Sequence, residues 1–200
     1  MKQLRTLRIL LILSACLLAG MITAFLLKPT PADNRISTQQ IGGDFTLTSA
    51  DGPVSLSDFK GDVAVIYIGY ASCPDVCPTA LAVLSQALNQ LDKKQRDQVQ
   101  GIFISVDPER DTPEKLKTYT RFFSDRLIGL TGSHEEIDKV VRQYGAFYRK
   151  VELEDSAMGY AVDHSSRLYL IDRNGDFVGL LNHGVQPAEV KNRLESLLNG

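Results

Sequence analysis

The chain opens on an apolar run, Ile9 to Leu27, nineteen residues without a charge. Wound as a helix at 1.5 Å per residue it would reach about 28 Å, close to the hydrocarbon thickness of a bilayer. A polar, proline-started stretch from Pro29 to Gln40 follows, and its lack of periodicity reads as a tether. Beyond it the pattern alternates between short apolar runs and helical periodicity. Phe45 to Thr48 alternates like an edge strand and turns at Asp51, Gly52 and Pro53. Val63 to Tyr70 is a continuous, β-branched run, the signature of a strand buried on both faces. Pro78 opens a helix over Ala80 to Leu91, with Leu81, Leu84, Leu88 and Leu91 at helical spacing. Ile102 to Val106 is a second buried strand. A helix follows from Thr112 to about Phe123, then a short strand over Leu127 to Leu130. Ser133 and Glu136 form a capping box for a helix that turns Ile137, Val140, Val141 and Tyr144 inward. Arg167 to Ile171 and Phe177 to Leu181 flank Asn174-Gly175, a hairpin signal, and Pro187 starts a closing helix carrying Val190, Leu194 and Leu197. This order predicts an α/β sandwich with a mixed sheet, a thioredoxin-like topology, preceded by a single transmembrane helix.

Two hundred residues allow one such domain plus extras. The expected organisation is a cytoplasmic N-terminus over 1–8, an anchor over 9–27, a linker over 28–40 and a folded domain over 41–200. Lys2, Arg5 and Arg8 precede the apolar run and Lys28 alone closes it, which by the positive-inside bias places the folded domain outside the cytoplasm, on the periplasmic side of the inner membrane. A cleaved signal peptide would carry a shorter apolar region. Leu13-Ser14-Ala15-Cys16 resembles a lipoprotein processing box, but the apolar run continues past Cys16. The net charge of −2 hides an asymmetry: the first 28 residues hold four basic groups and no acid, leaving 18 basic against 24 acidic groups and a body near −6. An acidic body without a basic run offers no footprint for a phosphate backbone, which sets nucleic-acid binding aside.

The chemistry follows the first buried strand. Cys73 and Cys77 bracket Pro74, Asp75 and Val76 between that strand and the following helix, where ligands of open α/β sheets collect. Cys77 lies beside the helix start, whose free N–H groups and dipole favour a thiolate. Three intervening residues let the sulfurs open toward a shared ion or close into a disulfide. An inert buried pair is the bland alternative, and Asp75 reads as a turn former.

The same stretch, CPDVC, resembles the hallmark of the SCO/SenC family of membrane-anchored, thioredoxin-fold copper proteins. The likeness continues in Val106 to Pro113 (VDPERDTP), in Val162 to Ser166 (VDHSS), in Tyr169 to Asp172 (YLID) and in Gly175. It spans essentially all of 41–200. The resemblance implies copper, as Cu(I) or Cu(II), held by Cys73, Cys77 and His164. It further implies delivery to the binuclear copper centre of cytochrome c oxidase subunit II, or thiol-disulfide work on that subunit's cysteines, with other copper chaperones and thiol-disulfide oxidoreductases as further partners. Two thiolates and one imidazole suit Cu(I), although the donor types alone also describe zinc sites.

Of the three histidines, His164 directly precedes a strand in the part of the sheet that could face the cysteine loop, His134 sits among acids at a helix start, and His183 lies in a loop. Asp163 could orient a ligand from behind or equally cap a loop. Met158 reads as gap filler, Asp107, Arg110 and Asp111 as braces of the cysteine loop, and Tyr67 and Tyr70 as core or pocket wall. Three functions fit: a metallochaperone, a thiol-disulfide oxidoreductase in which Cys73 and Cys77 cycle, and a redox or copper sensor.

Overall fold

The computed structural model describes residues 41–199 except 154, 155 and 157, together with Leu13, Ser14, Leu17, Leu18, Gly20 and Thr23. They belong to two units, Met1–Gln39 and Gln40–Gly200. In the first, the described residues are helical and Leu13, Leu17 and Leu18 are exposed. Most of the anchor read over 9–27, and the whole linker over 28–40, lie outside the described residues, among which no helix is long and apolar enough to cross a membrane.

The second unit begins with a small antiparallel pair, β1 (Thr46–Ser49) and β2 (Gly52–Ser55), and a 3-10 turn over Leu56–Phe59. β3 (Val63–Gly69) follows, with every residue buried. α1 (Val76–Asn89) and the single turn α2 (Lys93–Arg96) then lead to β4 (Val99–Ser105), equally buried and parallel to β3. A parallel partner requires a crossover, and α1 supplies it. α3 (Pro113–Phe123) makes the second crossover, to β5 (Leu127–Leu130), again parallel. α4 (His134–Gln143) precedes a hairpin of β6 (Tyr148–Glu152) and β7 (Tyr160–His164), which forms a sheet of its own. β8 (Arg167–Ile171) and β9 (Phe177–Asn182) return antiparallel beside β3, and α5 (Pro187–Asn199) packs against α1. The central sheet runs β5-β4-β3-β8-β9, a mixed sheet in a thioredoxin-like sandwich, as expected.

Four local differences matter. The first concerns α1, which starts at Val76 rather than at Pro78: Pro78 is its third residue, and a missing N–H is harmless anywhere in the first turn. Cys77 is therefore inside the helix. The β8–β9 connection is a five-residue loop rather than a tight Asn-Gly turn. Asp172 Oδ1 accepts the N–H groups of Asn174 and Asp176, both at 2.9 Å, and only Gly175 takes a positive φ, 89°. The closing helix buries Val190, Leu194 and Leu198, with Leu197 only half-buried. The β6–β7 hairpin was not legible at all. β6 (YRKVE) is mostly exposed and charged, so neither a buried run nor a clean alternation announces it.

Candidate metal centre

Each candidate donor is placed by a different element. Cys73 sits in the loop after β3, its N–H donating to the Tyr70 carbonyl at 3.3 Å. Cys77 is the second residue of α1. His164 is the last residue of β7, separated by two residues from the start of β8 in the central sheet. Because β8 is locked in register against β3, whose end carries the cysteine loop, the joint between the hairpin and the sheet is held beside that loop. His164 Nε2 lies 3.2 Å from Cys77 Sγ. The three donor atoms all lie within 4.8 Å of one another. Among the described residues this is the cluster of such side chains whose donors converge.

The imidazole is fixed from behind. Its Nδ1 faces the Ser165 carbonyl at 3.3 Å. A carbonyl can only accept, so Nδ1 donates in this contact, and the ring is held with Nε2 turned to the sulfurs. Tyr67 and Tyr70 stand edge-on to the ring, with centroids at 6.1 and 5.8 Å. Asp163, expected as an outer partner, instead pairs with Arg149 at 2.7 Å across the hairpin, since neighbouring strand residues point to opposite faces. The backbone carbonyl of Ser165 takes the orienting role.

Gly69 ends β3 directly beneath Cys77. A Cβ at this position would lie 2.6 Å from Cys77 Sγ and 3.0 Å from the Tyr67 ring. The sulfur thus occupies the space a side chain would fill. Sequence reasoning passed over this residue, although a glycine interrupting a β-branched buried run is the available signal. The loop above is held by Asp111, whose side chain is fully buried. Its Oδ2 accepts the Ala71 N–H at 2.7 Å and the Ser105 hydroxyl at 2.6 Å, and its Oδ1 pairs with Lys115 at 2.9 Å. Lys115 also donates to Ser72 Oγ and to the Arg110 carbonyl. The bracing expected of Asp107, Arg110 and Asp111 falls to Asp111, while the Asp107 and Arg110 side chains pair with each other and turn to Tyr160.

The two sulfurs are electrostatically unequal. The hydrogen bond from Cys77, opposed by burial and aided by His164 and by the N–H groups of Asp75 and Cys77, holds the Cys73 thiol down at about 3. The same bond, now with Cys77 as its donor, and burial push the Cys77 thiol far up. The pair shares one proton, which resides on the fully buried Cys77. The expectation that the helix start favours a thiolate at Cys77 is therefore reversed: its free N–H groups serve the preceding Cys73.

The remaining candidates lie elsewhere. His134 is exposed, 3.9 Å from Glu109. His183 is exposed in the loop before α5, and Met158, also exposed, meets Arg110 through its backbone carbonyl.

A protein-family model described as SCO1/SenC matches residues 33–199. The chain belongs to the SCO1/SenC family. An SCO2-like protein of Rickettsia conorii is 40% identical over 161 residues, 80% of this chain and 77% of that protein. The copper-bound structure of Bradyrhizobium japonicum ScoI is 43% identical with a TM-score of 0.71, covering 79% of this chain and 99% of that one. BsSco, described as carrying a disulfide switch and as a member of the Sco family of cytochrome c oxidase assembly proteins, is 26% identical with a TM-score of 0.62, covering 80% of this chain and 94% of that one. For an SCO1/SenC protein the convergence of two sulfurs and an imidazole offers two chemistries. It can hold a soft cation through three donors with an open side, or it can make and break a disulfide starting from the Cys73 thiolate.

Two outcomes follow from this geometry. Because the Cys73 pKa lies below its ordinary value, its thiolate persists across the whole range above about 3 and is lost only as the pH falls through that value. Alkylation mapped by mass spectrometry should then label Cys73 nearly independently of pH between neutral and mildly acidic solution, with Cys77 resistant throughout; equal labelling of the two would overturn the assignment. Gly69→Ala should displace Cys77 and cost about 1–3 kcal/mol of stability in a denaturant titration, the range for forcing a methyl into a packed site.

Proposed function

We propose that this protein is a copper metallochaperone that carries the ion on Cys73, Cys77 and His164 and works in the assembly of cytochrome c oxidase, with the binuclear copper centre of subunit II as its destination. The observation that carries this reading is the convergence of the three donors within 4.8 Å. The donor set suits the cargo. Two soft sulfurs and one nitrogen match Cu(I), and with both sulfurs ionised the complex carries about −1 charge. A three-donor site leaves a side open, so an incoming ligand can join before an outgoing one leaves. Support also comes from the copper bound by the similar ScoI and from the assembly role given to BsSco. Loading must displace the proton on Cys77, so affinity rises with pH by one proton per ion.

A second reading shares the same atoms. A preformed Cys73 thiolate hydrogen-bonded to a neighbouring thiol is the arrangement of a dithiol reductant, able to attack a disulfide on a partner such as subunit II. Electron transfer of that kind needs both sulfurs and not the imidazole.

We further propose that residues 9–27 anchor the chain and that the domain from 41 onward faces the periplasm, on the strength of the Lys2, Arg5 and Arg8 asymmetry.

His164→Ala separates the readings. It should lower Cu(I) affinity on the order of 100-fold, about 2.7 kcal/mol, in chelator competition while leaving disulfide reduction intact. Unchanged copper retention in that variant would sink the ligand assignment. For topology, alkaline phosphatase fused after Gly200 should be active in intact cells, and an inactive fusion would place the domain in the cytoplasm.

A further inference from the structure

The β6–β7 hairpin that ends on His164 forms a sheet of its own, so side chains must seat it on the body of the domain. Most of those contacts meet on one short loop, Val106 to Asp111. Arg110 lies at their centre. Its guanidinium sits 3.6 Å over the Tyr160 ring and 5.6 Å from the Tyr70 ring. Its Nη1 donates to the Tyr160 carbonyl at 3.0 Å and the Met158 carbonyl at 3.3 Å, and its Nε donates to the Asp107 carboxylate. The Nη2 atom is buried without a hydrogen-bond partner. Asp107, itself buried, accepts the Tyr160 hydroxyl at 2.7 Å. Lys150–Glu109 and Tyr148–Asp138 add two further ties. Arg110 thus grips the first residue of β7 on one side and reaches toward Tyr70 on the other, while Tyr70 stands edge-on to His164.

Asp111, one residue on, does something different: it pins the loop that carries the sulfurs. Two adjacent residues therefore hold the two halves of the site by separate contacts.

We propose that Arg110 is a positioning residue for His164. It docks the hairpin so that the imidazole reaches the sulfurs, and releasing it withdraws the imidazole while leaving both sulfurs in place. The inference rests on the reading of His164 as a copper ligand. A planar, multiply donating group with a ring stacked on its face suits the task better than an ammonium, which can pair with Asp107 but cannot bridge both carbonyls while stacking.

The test uses the full 200-residue chain purified in detergent, with Cu(I) as the probe. Arg110→Ala should lower Cu(I) affinity about 10- to 100-fold, the range for loss of an outer-shell partner. X-ray absorption should lose the nitrogen scatterer and keep two sulfurs, and Cys73 alkylation should be unchanged. The decisive comparison is the double variant. Arg110→Ala with His164→Ala should bind no more weakly than His164→Ala alone, because the arginine acts through the histidine. Val190→Ala, a core truncation in α5, serves as the control for destabilisation alone and should retain the nitrogen signal. Arg110→Lys decides the matter if the alanine variant does not fold, and should also lose the nitrogen scatterer. Additive losses in the double variant, or a retained nitrogen signal in Arg110→Lys, would overturn the proposal. If His164→Ala itself binds copper like the parent chain, it is the ligand reading that falls.

Discussion

The structure turns on the 3.2 Å approach of His164 Nε2 to Cys77 Sγ. The two residues are 87 positions apart, and no local preference brings them together. The approach exists because β3 and β8 are antiparallel neighbours in a rigid sheet. The loop leaving the end of β3 and the joint leading into β8 must then lie at the same edge. A mixed sheet makes this possible. Parallel β3 and β4 send their chain ends the same way, and the antiparallel return of β8 brings a strand start back to that edge.

What the sheet brings near, buried polar groups make definite. Asp111 and Asp107 are carboxylates taken out of water, and each is matched by hydrogen bonds and a cation. Removing one partner of such a pair leaves an unsatisfied buried group, so these contacts have essentially one geometry. That rigidity is useful beside a site whose ligands come from three elements. A displacement of about 1 Å in any of them would change the coordination. The 106–111 loop acts as a jig, with one carboxylate turned to the sulfurs and the other to the hairpin.

The shared proton of the cysteine pair follows from the same crowding. Gly69 admits the Cys77 sulfur to the core, where an anion is costly, while Cys73 stays at the mouth with helix-start amides to stabilise its charge. One sulfur is thus ready to attack or bind, and the other ionises only when something compensates it. A cation arriving between them would do so, as would oxidation to a disulfide. In the proposed copper function the two states compete for one pair of atoms.

The hydrophobic pattern alone determined the central sheet, its crossovers and the closing helix. Buried strands such as Val63 to Gly69 and capped amphipathic helices such as His134 to Gln143 carry their instructions in neighbouring residues. The spacing of Cys73 and Cys77 at a strand-to-helix turn was equally local, and so the pair was legible. His164 was marked in the sequence by its place before a strand and by family likeness; nothing else within a few residues of it marks a ligand. Tertiary structure alone decided which sulfur is the thiolate, that Ser165 rather than Asp163 orients the imidazole, that Gly69 is space reserved for a sulfur, and that a charged hairpin is seated by Arg110. Each of these depends on groups that approach through space from distant parts of the chain, and periodicity along a sequence records only what neighbours impose on one another.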